Sequence, residues 1–594
     1  MLQNILSAGA HLRSPSGVGA SAVALAAVLI VSGLLVAHYY DRTWWPPDDG
    51  NYAHVADRLL SGETLHAGVQ DIHAGYINFV NAGAFAVFGT RLVSLRYPLA
   101  FLAVVQSGLM FLLLRPLGLI PAVVGALSLT SLGFLQFPNP TANWYALFLA
   151  VCTIGWLRWV PAGARHRDLG TGVLLGATFL FRQLSGVLLA MGLLVYLLLE
   201  CPRPATAGSR ALARATIATM AVGLALYLIS ATDIIGWTLV GVWPFPILLL
   251  AWLQTEARNR EFLATLRRLT LGAGMAALPL AAYHVAHGSV GAWLTDTFAT
   301  ATSLPRLEFM SLPGYTLIGI LAGRGLAFGT ATERLNAFFW LAVLLLPAML
   351  GITLLRSARR REPRPGWHAL PVIALFFSIV SVHYQVTLYL FYTAGLCMCA
   401  LVWQGSLAGK TQRFAAVILS GVCAAIAVFY QAGMPISRGL RATVAGEGSP
   451  VASRLELDRA GIYVQTDDAV RYRRVVDFIR GETGPRDTIF ALPSEAELYF
   501  LADRANPFKF FNTALGVRSV ADLDAVLGVL RCHPPKLIFI NPDDKYNTPA
   551  SIRIAAVIRA TYDSLPPLPP FEVYRPRPTA PADARSACQA MGGA

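Results

Sequence analysis

The chain has 594 residues, of which 55% are hydrophobic and only 13% charged, and its mean hydropathy is +0.54. A soluble globular domain carries about a quarter charged residues, so the composition predicts a membrane protein and excludes an ordinary soluble domain. The formal net charge is +14. Because the arginines cluster in short segments between apolar stretches, this surplus indicates membrane topology rather than nucleic-acid binding.

The seven cysteines divide by their surroundings. Cys532 and Cys588 lie in the polar C-terminal part and are able to pair if that part is extracytoplasmic, since disulfides persist in oxidising compartments. The others lie in or beside apolar stretches without metal-ligand spacing: Cys152, Cys201, Cys397, Cys399 and Cys423. The first apolar stretch, 20–40, is long enough to remain in the membrane, so we predict no cleavable signal peptide.

Apolar stretches account for most of the chain up to residue 431. A helix needs about 20 mostly apolar residues to cross a bilayer. By this criterion we predict about thirteen transmembrane helices, at 20–39, 97–114, 119–137, 142–160, 169–181, 184–199, 213–231, 235–253, 269–287, 334–355, 367–382, 386–404 and 414–431. The pair 169–181 and 184–199 is short, which favours a broken or tilted hairpin. The stretch 75–89 is shorter and contains Asn78 and Asn81, so we predict an interfacial or re-entrant helix there.

The distribution of basic residues predicts the orientation of these helices. With the N-terminus and Arg13 in the cytoplasm, and with 75–89 not crossing, every strong basic cluster lies inside, as the positive-inside rule requires. These clusters contain Arg115; Arg158, Arg165 and Arg167; Arg203, Arg210 and Arg214; Arg258, Arg260, Arg267 and Arg268; Arg356, Arg359, Arg360, Arg361 and Arg364; Lys410 and Arg413. If 75–89 crosses, nearly all of them lie outside. The C-terminal part is therefore predicted on the outer face of the inner (plasma) membrane.

This orientation predicts a domain plan. Residues 1–431 form a transmembrane domain with two long outer loops, 41–96 and 288–334, and residues 432–594 form an extracytoplasmic domain. In the C-terminal part, helices are predicted at 470–480, 520–531 and 550–561, and buried strands at 487–491 and 536–540. The alternation favours a small α/β domain. The fold class is thus a polytopic α-helical membrane protein with a C-terminal α/β domain.

Carboxylates are sparse near the membrane, which makes the first loop informative. It opens with Trp44-Trp45-Pro46-Pro47-Asp48-Asp49-Gly50-Asn51-Tyr52. Asp48 and Asp49 are predicted N-caps of a helix at 51–60, and capping alone would explain them. However, a further acid, Asp71, follows about 20 residues later, just before the apolar stretch 75–89. Carboxylates presented at a bilayer surface are also able to deprotonate and position an acceptor hydroxyl.

The first loop resembles that of the GT-C glycosyltransferases. The loop looks like that of bacterial members of the protein O-mannosyltransferase superfamily, such as the lipid A aminoarabinose transferases. The shared order is Asp48-Asp49-x-x-Tyr52, a helix, Ser61-Gly62-Glu63, Asp71 before an apolar helix, Phe88-Gly89 and Arg96. The predicted layout of spans, interfacial helices and outer C-terminal domain is similar to that of the family over nearly the whole chain.

The resemblance implies an inverting transfer of a sugar from a polyprenyl-phosphate donor. It assigns Asp48 to the family's leading Asp, the expected base, and Asp49 to the acid that follows it. A string such as Lys-Pro-Pro usually follows the family's second acid, but here Asp71 is followed by Ile72-His73-Ala74-Gly75. The resemblance therefore leaves the role of Asp71 open. We expect Asp71 and Tyr52 to contact substrate.

The donor phosphate requires a cation. Arg182 lies at the outer turn of the 169–199 hairpin, where a charge within apolar sequence indicates function. Arg offers paired donors to phosphate oxygens, and related transferases place a Lys or Arg at this turn. The alternative is snorkelling to the interface. His383, next to Tyr384, is a further candidate for phosphate or sugar, although an interfacial histidine without a ligand explains it equally well.

Further candidates lie in other predicted outer loops. Arg306 and Glu308 of the second long loop are candidates for substrate contact, or form an ordinary solvated pair. The loop around Asn139, Asn143 and Trp144 contains no acid where relatives often carry one, which argues against a metal there. No Walker-type or dinucleotide glycine-rich loop and no zinc spacing is present in the sequence.

Overall, the sequence predicts a membrane glycosyltransferase with no assigned cofactor, although a divalent metal stays open. Its partners would be a polyprenyl-phosphate sugar, membrane lipids and an acceptor in the cell envelope (glycolipid, polysaccharide or protein). The rival hypotheses are a transporter, flippase or polymerase-type ligase of lipid-linked sugars, and a membrane scaffold without catalysis. A transporter should show internal repeats and broken helices at the midplane, and no repeat is evident.

Overall fold

A computed structural model gives the structure of the chain for residues 15–161, 164–200, 207–254, 261–300, 302, 307–310, 314–359, 368–432 and 453–577. The chain divides into two compact units. The helical unit comprises Met1–Thr43, Tyr97–Ala282 and Met310–Pro450, and the mixed unit comprises Trp44–Arg96, Tyr283–Phe309 and Val451–Ala594. The mixed unit thus draws on the first loop, part of the second loop and the C-terminal segment.

The helical unit consists of apolar helices. The longer ones are Pro15–Tyr39, Tyr97–Leu114, Leu119–Ser131, Ala142–Trp159, Arg165–Phe181, Gln183–Glu200, Ala207–Ala231, Pro244–Gln254, Glu261–Ala286 (whose end belongs to the mixed unit), Gly314–Phe328, Ala331–Arg359, Ala369–Phe377, Thr387–Ala408 and Lys410–Ile426. Short helical turns extend or join them at Arg115–Leu117, Phe134–Gln136, Ile234–Gly236, Trp237–Gly241, Ser378–His383 and Ala427–Gln431. Large apolar side chains such as Ile30, Leu226 and Phe414 are exposed on these helices. Exposure on this scale is typical of a surface that lipid covers.

Eight helices of the described residues are long and apolar enough to cross a membrane, or up to nine if the bent pair Ile234–Gly241 and Pro244–Gln254 is one span. The predicted class, a polytopic helical membrane protein, is confirmed, but the count of thirteen is not. Some predicted spans coincide with short apolar helices, including Gln183–Leu199 and Ala369–His383. A 15-residue helix, Gly314–Phe328, lies where the second outer loop was predicted.

The mixed unit contains short helices and a small sheet. Its helices are Pro46–Leu60, Tyr76–Phe88, Leu92–Arg96, Val290–Leu294, Thr295–Thr300, Thr466–Glu482, Ala496–Ala502, Thr513–Gly516, Val520–Cys532 and Pro549–Thr561, and a turn at Glu308–Met310 lies at its boundary. Its strands are Ser453–Arg454, Tyr463–Val464, Ile489–Leu492, Leu537–Ile540, Tyr562–Leu568 and Phe571–Pro576. The predicted C-terminal α/β domain is confirmed, and each predicted helix and strand in it has a counterpart within a few residues.

The four-stranded sheet has the order Ile489–Leu492, Leu537–Ile540, Phe571–Pro576, Tyr562–Leu568. The first two strands pair in parallel, with Ile489 opposite Leu537, and the remaining pairs are antiparallel. The first two strands are buried along their whole length, as parallel strands covered on both faces should be. The core of this region contains Phe490, Ile538, Val526, Ile554 and Ile558, which come from the sheet and two helices.

Backbone hydrogen bonds join the first loop to the C-terminal segment within the mixed unit. The amides of Leu92 and Val93 donate to the carbonyls of Arg459 and Ala460, at 2.8 and 3.1 Å, and the amide of Gln70 donates to the carbonyl of Lys509 at 2.9 Å. These bonds join backbone atoms, so they do not depend on which side chains are present. The two segments therefore fold against each other although they lie far apart in the sequence.

Candidate active site

The Asp48-Asp49 pair lies in the first turn of a helix. This helix is Pro46–Leu60, its N-cap is Trp45, and no side chain caps it. The prediction that Asp48 and Asp49 cap a helix at 51–60 is therefore wrong. Proline suits the first helical position, because its fixed φ is already helical and its missing N–H is not needed there, so the helix begins at the proline pair. Both aspartates therefore lie inside the helix, in its first turn.

Asp49 is buried, and both of its carboxylate oxygens accept hydrogen bonds. Its Oδ1 accepts a hydrogen bond from Arg96 Nη2 at 2.8 Å, and its Oδ2 accepts from the Trp45 amide at 2.9 Å. Asp49 is 1% exposed and Arg96 is 0% exposed. Burial raises the pKa of Asp49 above its ordinary value, and the charge of Arg96 opposes that rise. The pair therefore ties the start of the helix to the end of the first loop.

Asp48 differs from Asp49 in its surroundings. Its side chain is only half-buried, whereas that of Asp49 is buried. Its backbone amide donates to the Trp45 carbonyl at 3.0 Å. The turn thus fixes the backbone of Asp48, and the residue as a whole is less buried than Asp49. Of the two predicted catalytic acids, Asp48 is therefore the more exposed.

Asp71 forms a second buried acid site in the same loop. It accepts hydrogen bonds from Asn78 Nδ2 at 2.6 Å and from its neighbouring amide, Ile72 N, at 2.7 Å, and His73 Nδ1 lies 3.0 Å from Oδ1. Burial raises the pKa of Asp71, but the charge and hydrogen bond of His73 and the amide of Asn78 outweigh it, so the pKa lies below its ordinary value. The Tyr52 ring lies 5.7 Å from the His73 ring. His73 therefore contacts both predicted substrate residues, Asp71 and Tyr52.

A third buried acid, Asp296, was not predicted from the sequence. Its Oδ2 lies 3.0 Å from Lys509 Nζ and 3.4 Å from His66 Nδ1, and its Oδ1 accepts from Gln70 Nε2 at 3.4 Å. These residues come from the first loop, the second loop and the C-terminal segment. His66 has a φ of +66°, a backbone conformation that non-glycine residues seldom adopt and that often marks functional sites. Only the three-dimensional fold brings this cluster together.

Two further acids missed by the sequence reasoning are Glu495 and Glu497. They follow the first strand of the parallel pair, and both are buried. Tyr472 donates its hydroxyl to Glu497 Oε1 at 3.1 Å, and Asn541 Nδ2 donates to Glu495 Oε1 at 3.0 Å. Ligands of open α/β sheets bind at the carboxyl ends of the strands. Applied to the predicted strand at 487–491, that rule would have indicated Glu495 and Glu497 as candidate residues.

The helical unit contains the predicted donor residues Arg182 and His383. Arg182 is the residue between the helices Arg165–Phe181 and Gln183–Glu200, where the sequence predicted a hairpin turn. It is 9% exposed, so the turn does not present its side chain to solvent. Its Nη2 donates to the Tyr389 hydroxyl at 3.3 Å, and its guanidinium lies 5.5 Å from that ring.

His383 lies beside the same tyrosine. Its ring centroid is 6.3 Å from that of Tyr389, and its Nδ1 lies 3.2 Å from the Tyr227 hydroxyl. Tyr389 therefore contacts both predicted phosphate ligands, Arg182 and His383. The structure brings these two residues to one place, although they come from helices about 200 residues apart in the sequence.

The remaining candidates separate into buried residues and residues outside the described ranges. Trp144 Nε1 donates to the Phe137 carbonyl at 2.9 Å and Asn143 Nδ2 donates to Thr141 Oγ1 at 3.1 Å; both these residues and Asn139 are buried. Arg306, the Glu308 side chain and Cys588 lie outside the described residues. Cys532 is disulfide-bonded. Within the described ranges, no group of three or more His, Cys, Asp or Glu side chains is arranged to hold a metal ion.

Solved structures that are similar to this chain include two of one protein and one of another. ArnT from Cupriavidus metallidurans bound to undecaprenyl phosphate is 14% identical, over 94% of this chain and 99% of that one, with a TM-score of 0.40; its apo state is 11% identical, over 94% and 98%, with a TM-score of 0.36. The Archaeoglobus fulgidus oligosaccharyltransferase complex with Zn and sulfate is 14% identical, over 86% of this chain and 68% of that one, with a TM-score of 0.42.

These similar proteins are GT-C glycosyltransferases, the class that the first loop resembles. Because the TM-scores are below 0.5 and the identities are low, we base no argument about activity on them. No protein-family model matches the chain, and no curated protein does. The functional assignment therefore rests on the geometry of the site.

Proposed function

We propose that the chain is an inverting glycosyltransferase of the inner membrane. It moves a sugar from a polyprenyl-phosphate donor to an acceptor of the cell envelope, on the outer face. The observation that carries this proposal is the contrast between Asp48 and Asp49. Asp49 is buried against Arg96, whereas adjacent Asp48 lies in the same helical turn and is only half-buried. A base needs a fixed backbone and must be reachable by the substrate, and half-buried Asp48 meets both needs better than Asp49.

The chemistry follows from the leaving group. An acceptor hydroxyl attacks the anomeric carbon, the bond from that carbon to the phosphate oxygen breaks, and the polyprenyl phosphate leaves as a stable anion. The departing phosphate requires no proton, whereas the attacking hydroxyl must lose one. In this proposal Asp48 accepts that proton. Asp49 and Arg96 hold the turn.

In this proposal Asp71 positions the acceptor. Its hydrogen bonds with Asn78 and His73 hold it ionised in a buried position. His73 and Tyr52, whose rings lie 5.7 Å apart, connect it to the helix that carries Asp48. We therefore assign Asp71, with Tyr52, to placing the acceptor.

The donor phosphate is assigned to Arg182 and His383. A guanidinium provides charge-assisted hydrogen bonds to phosphate oxygens, and the Tyr389 hydroxyl and ring orient Arg182. The proposed donor belongs to the lipid class seen in the ArnT structure with undecaprenyl phosphate.

The deciding experiment is Asp48→Asn. This change preserves size and removes the base, so transfer should fall by about 10²–10⁴-fold while the protein is produced at normal levels. Mass spectrometry of envelope glycolipids and glycans, from cells with the wild-type gene, the variant or no gene, identifies the product and measures its loss. Near-normal product with Asp48→Asn would assign the base elsewhere.

Asp49→Asn is the matched control. It removes the charge that faces Arg96, so we expect it to lower stability while retaining measurable transfer. If Asp49→Asn is fully stable but inactive while Asp48→Asn is active, the two roles are reversed.

The outer-face location is tested separately. A topology reporter fused after Pro450 should report an extracytoplasmic position, because only that orientation places the basic clusters inside. A cytoplasmic signal would contradict both the orientation and an outer-face active site.

The alternative function is a transporter or flippase of lipid-linked sugars. The bent helix pair Ile234–Gly241 and Pro244–Gln254, with a 48° change of direction, favours it, since transporters build binding sites from broken helices. Lipid flipping in reconstituted vesicles distinguishes the two functions. A transporter should flip the lipid-linked sugar normally with Asn at position 48, and a transferase should lose product formation.

A further inference from the structure

Within the mixed unit, the second loop contacts the first loop on both sides of Asp71. Trp293 Nε1 donates to the Ala74 carbonyl at 2.8 Å, and Gln70 Nε2 donates to Asp296 Oδ1 at 3.4 Å. Gln70 precedes Asp71 in the sequence, and Ala74 follows it. The proposed reaction gives Trp293 and Asp296 no role. Their contacts to this short stretch therefore require a separate explanation.

Trp293 is held in the orientation that makes its hydrogen bond. Its ring is stacked on the His284 ring, with centroids 4.6 Å apart and an angle of 15° between the planes. His284 is buried, and its Nδ1 lies 2.8 Å from the Ser289 hydroxyl oxygen. Because a stacked and buried neighbour limits rotation of the indole, the N–H is directed at Ala74 by contacts within the second-loop segment, residues 283–309.

Asp296 holds Gln70 together with the C-terminal segment. Asp296 is buried, and its Oδ2 lies 3.0 Å from Lys509 Nζ. The Gln70 amide donates to the Lys509 carbonyl at 2.9 Å, and Gln70 Nε2 also lies 3.4 Å from the Leu515 carbonyl oxygen. Both the backbone and the side chain of Gln70 are therefore fixed from outside the first loop.

A glycine next to Ala74 explains why these two contacts matter. Gly75 has a φ of +137°, a conformation that glycine adopts readily because it has no Cβ. Such a residue restricts the chain on either side of it less than others do. Across this glycine, Asn78 donates to the Asp71 carboxylate at 2.6 Å. Movement of residues 70–74 about Gly75 would displace that carboxylate, and contacts at both ends of this stretch oppose the movement.

We propose that the second-loop segment positions Asp71 for the acceptor through two side chains, Trp293 and Asp296. The effect on the acceptor rests on the proposed role of Asp71, whereas the hold on residues 70–74 does not. Trp293 and Asp296 are positioning residues, because they act through residues 70–74 and contact no reacting atom in the proposed reaction.

A positioning role and a purely stabilising role predict different kinetics. A contact that only stabilises the fold changes the amount of active protein, so its loss lowers the maximal rate and leaves both half-saturation concentrations unchanged. A contact that positions Asp71 changes how tightly the acceptor is held, so its loss raises the acceptor concentration at half-maximal rate. Donor binding is assigned to Arg182 and His383 in the helical unit and should not change.

The structural arm of the test uses Trp293→Phe in the full chain, purified in lipid nanodiscs. This change keeps a ring against His284 and removes the N–H that binds Ala74. Amide hydrogen exchange of residues 70–74 should become faster by roughly two- to tenfold, which is the range expected for one hydrogen bond. Leu294→Ala, at the exposed neighbouring position, is the matched control and should exchange as the wild type does.

The kinetic arm measures product by mass spectrometry. Dilutions of an envelope extract from cells that lack the gene supply the acceptor, with a fixed and saturating amount of the polyprenyl lipid fraction of the same cells as donor. In Trp293→Phe the amount of extract at half-maximal rate should rise by roughly two- to tenfold, and in Leu294→Ala it should not. Undecaprenyl phosphate, the probe for the donor site, should stabilise both variants against heat as it stabilises the wild type.

Two results would overturn the inference. One is unchanged exchange of residues 70–74 in Trp293→Phe. The other is faster exchange with a lower maximal rate and an unchanged half-saturation, which means that Trp293 only stabilises the fold. If Trp293→Phe does not fold, Gln70→Met removes the donor to Asp296 at similar size and carries the same expectations. If Asp48→Asn leaves transfer intact while the exchange result holds, the proposed function fails and the hold on residues 70–74 stands.

Discussion

The first loop and the C-terminal segment both bury acids, but they stabilise them differently. In the first loop each buried acid has a basic partner: Asp49 has Arg96, and Asp71 has His73. In the C-terminal segment the two buried glutamates have neutral donors instead: Asn541 donates to Glu495, and Tyr472 donates to Glu497. A basic partner offsets the cost of burying an ionised acid, whereas a neutral donor offsets less of it, and burial raises the pKa of both glutamates. The first loop therefore pairs its buried acids with basic side chains, and the C-terminal segment holds its two glutamates through neutral groups.

Removing the cation from the first loop should have the largest effect on stability. Arg96→Ala leaves Asp49 buried opposite an empty position, and breaking a buried pair in this way costs about 3–5 kcal/mol of unfolding free energy. Denaturant unfolding of the purified protein measures the loss. The double variant Arg96→Leu with Asp49→Leu should recover part of it, because no charge is left unpaired. A loss under about 1 kcal/mol in the single variant would show that the pair does not organise the loop.

Neutralising Asp71 should have an intermediate effect. Asp71→Asn loses the charge-assisted hydrogen bond with His73, which is worth about 1.5–3 kcal/mol. The pKa of Asp71 lies below its ordinary value of 3.8, so its contribution is present above that pH and is lost as the pH falls below it. Acid titrations of stability should therefore be less steep in the variant than in the wild type. Identical titrations would contradict the assigned pKa direction.

Arg182 extends the comparison to the helical unit, with the smallest expected effect. Arg182 contacts the hydroxyl and ring of the neutral residue Tyr389, so Arg182→Ala should leave the fold largely intact. Losing the proposed bond to the donor phosphate, worth about 1.5–3 kcal/mol, should weaken binding of undecaprenyl phosphate by roughly tenfold or more. Thermal stabilisation of the purified protein by this lipid is a suitable measurement. Tyr389→Phe, which keeps the ring, should weaken binding less, and unchanged affinity in Arg182→Ala would leave only the snorkelling role.

The secondary structure of the C-terminal segment was predictable from local pattern. The strings at 487–491 and 536–540 are short apolar runs bounded by polar residues, and such runs indicate buried strands. The start of the helix at Pro46 was missed because the acids were interpreted as caps. The proline pair before them was the stronger signal, since proline is favoured in the first turn of a helix and acids are stabilised there by the helix dipole.

The composition of the buried clusters was not predictable in the same way. Asp48, Asp49 and Asp71 share one loop and one motif, so the sequence identified them. Asp296 meets His66 and Lys509, and Glu497 meets Gly50 and Tyr472, only after distant segments have folded together. With one sequence and no knowledge of these long-range contacts, an isolated acid in a polar segment has no distinguishing mark. The same holds for Tyr389, whose contacts to Arg182 and His383 depend on the packing of separate helices.

The backbone bonds from Gln70, Leu92 and Val93 to Lys509, Arg459 and Ala460 have a consequence for biosynthesis. Roughly 350 residues separate the first loop from the segment that completes it. At a translation rate of about 5–20 residues per second, the loop waits on the order of 20–70 s for its partner strand and helices. Throughout this interval the amides of Gln70, Leu92 and Val93 lack their final acceptors, whereas Asp49 and Asp71 have their partners within the loop itself. If translation stops before residue 453, the truncated chain would have membrane-inserted helices but no assembled site. Its first loop would then be exposed to quality-control proteases.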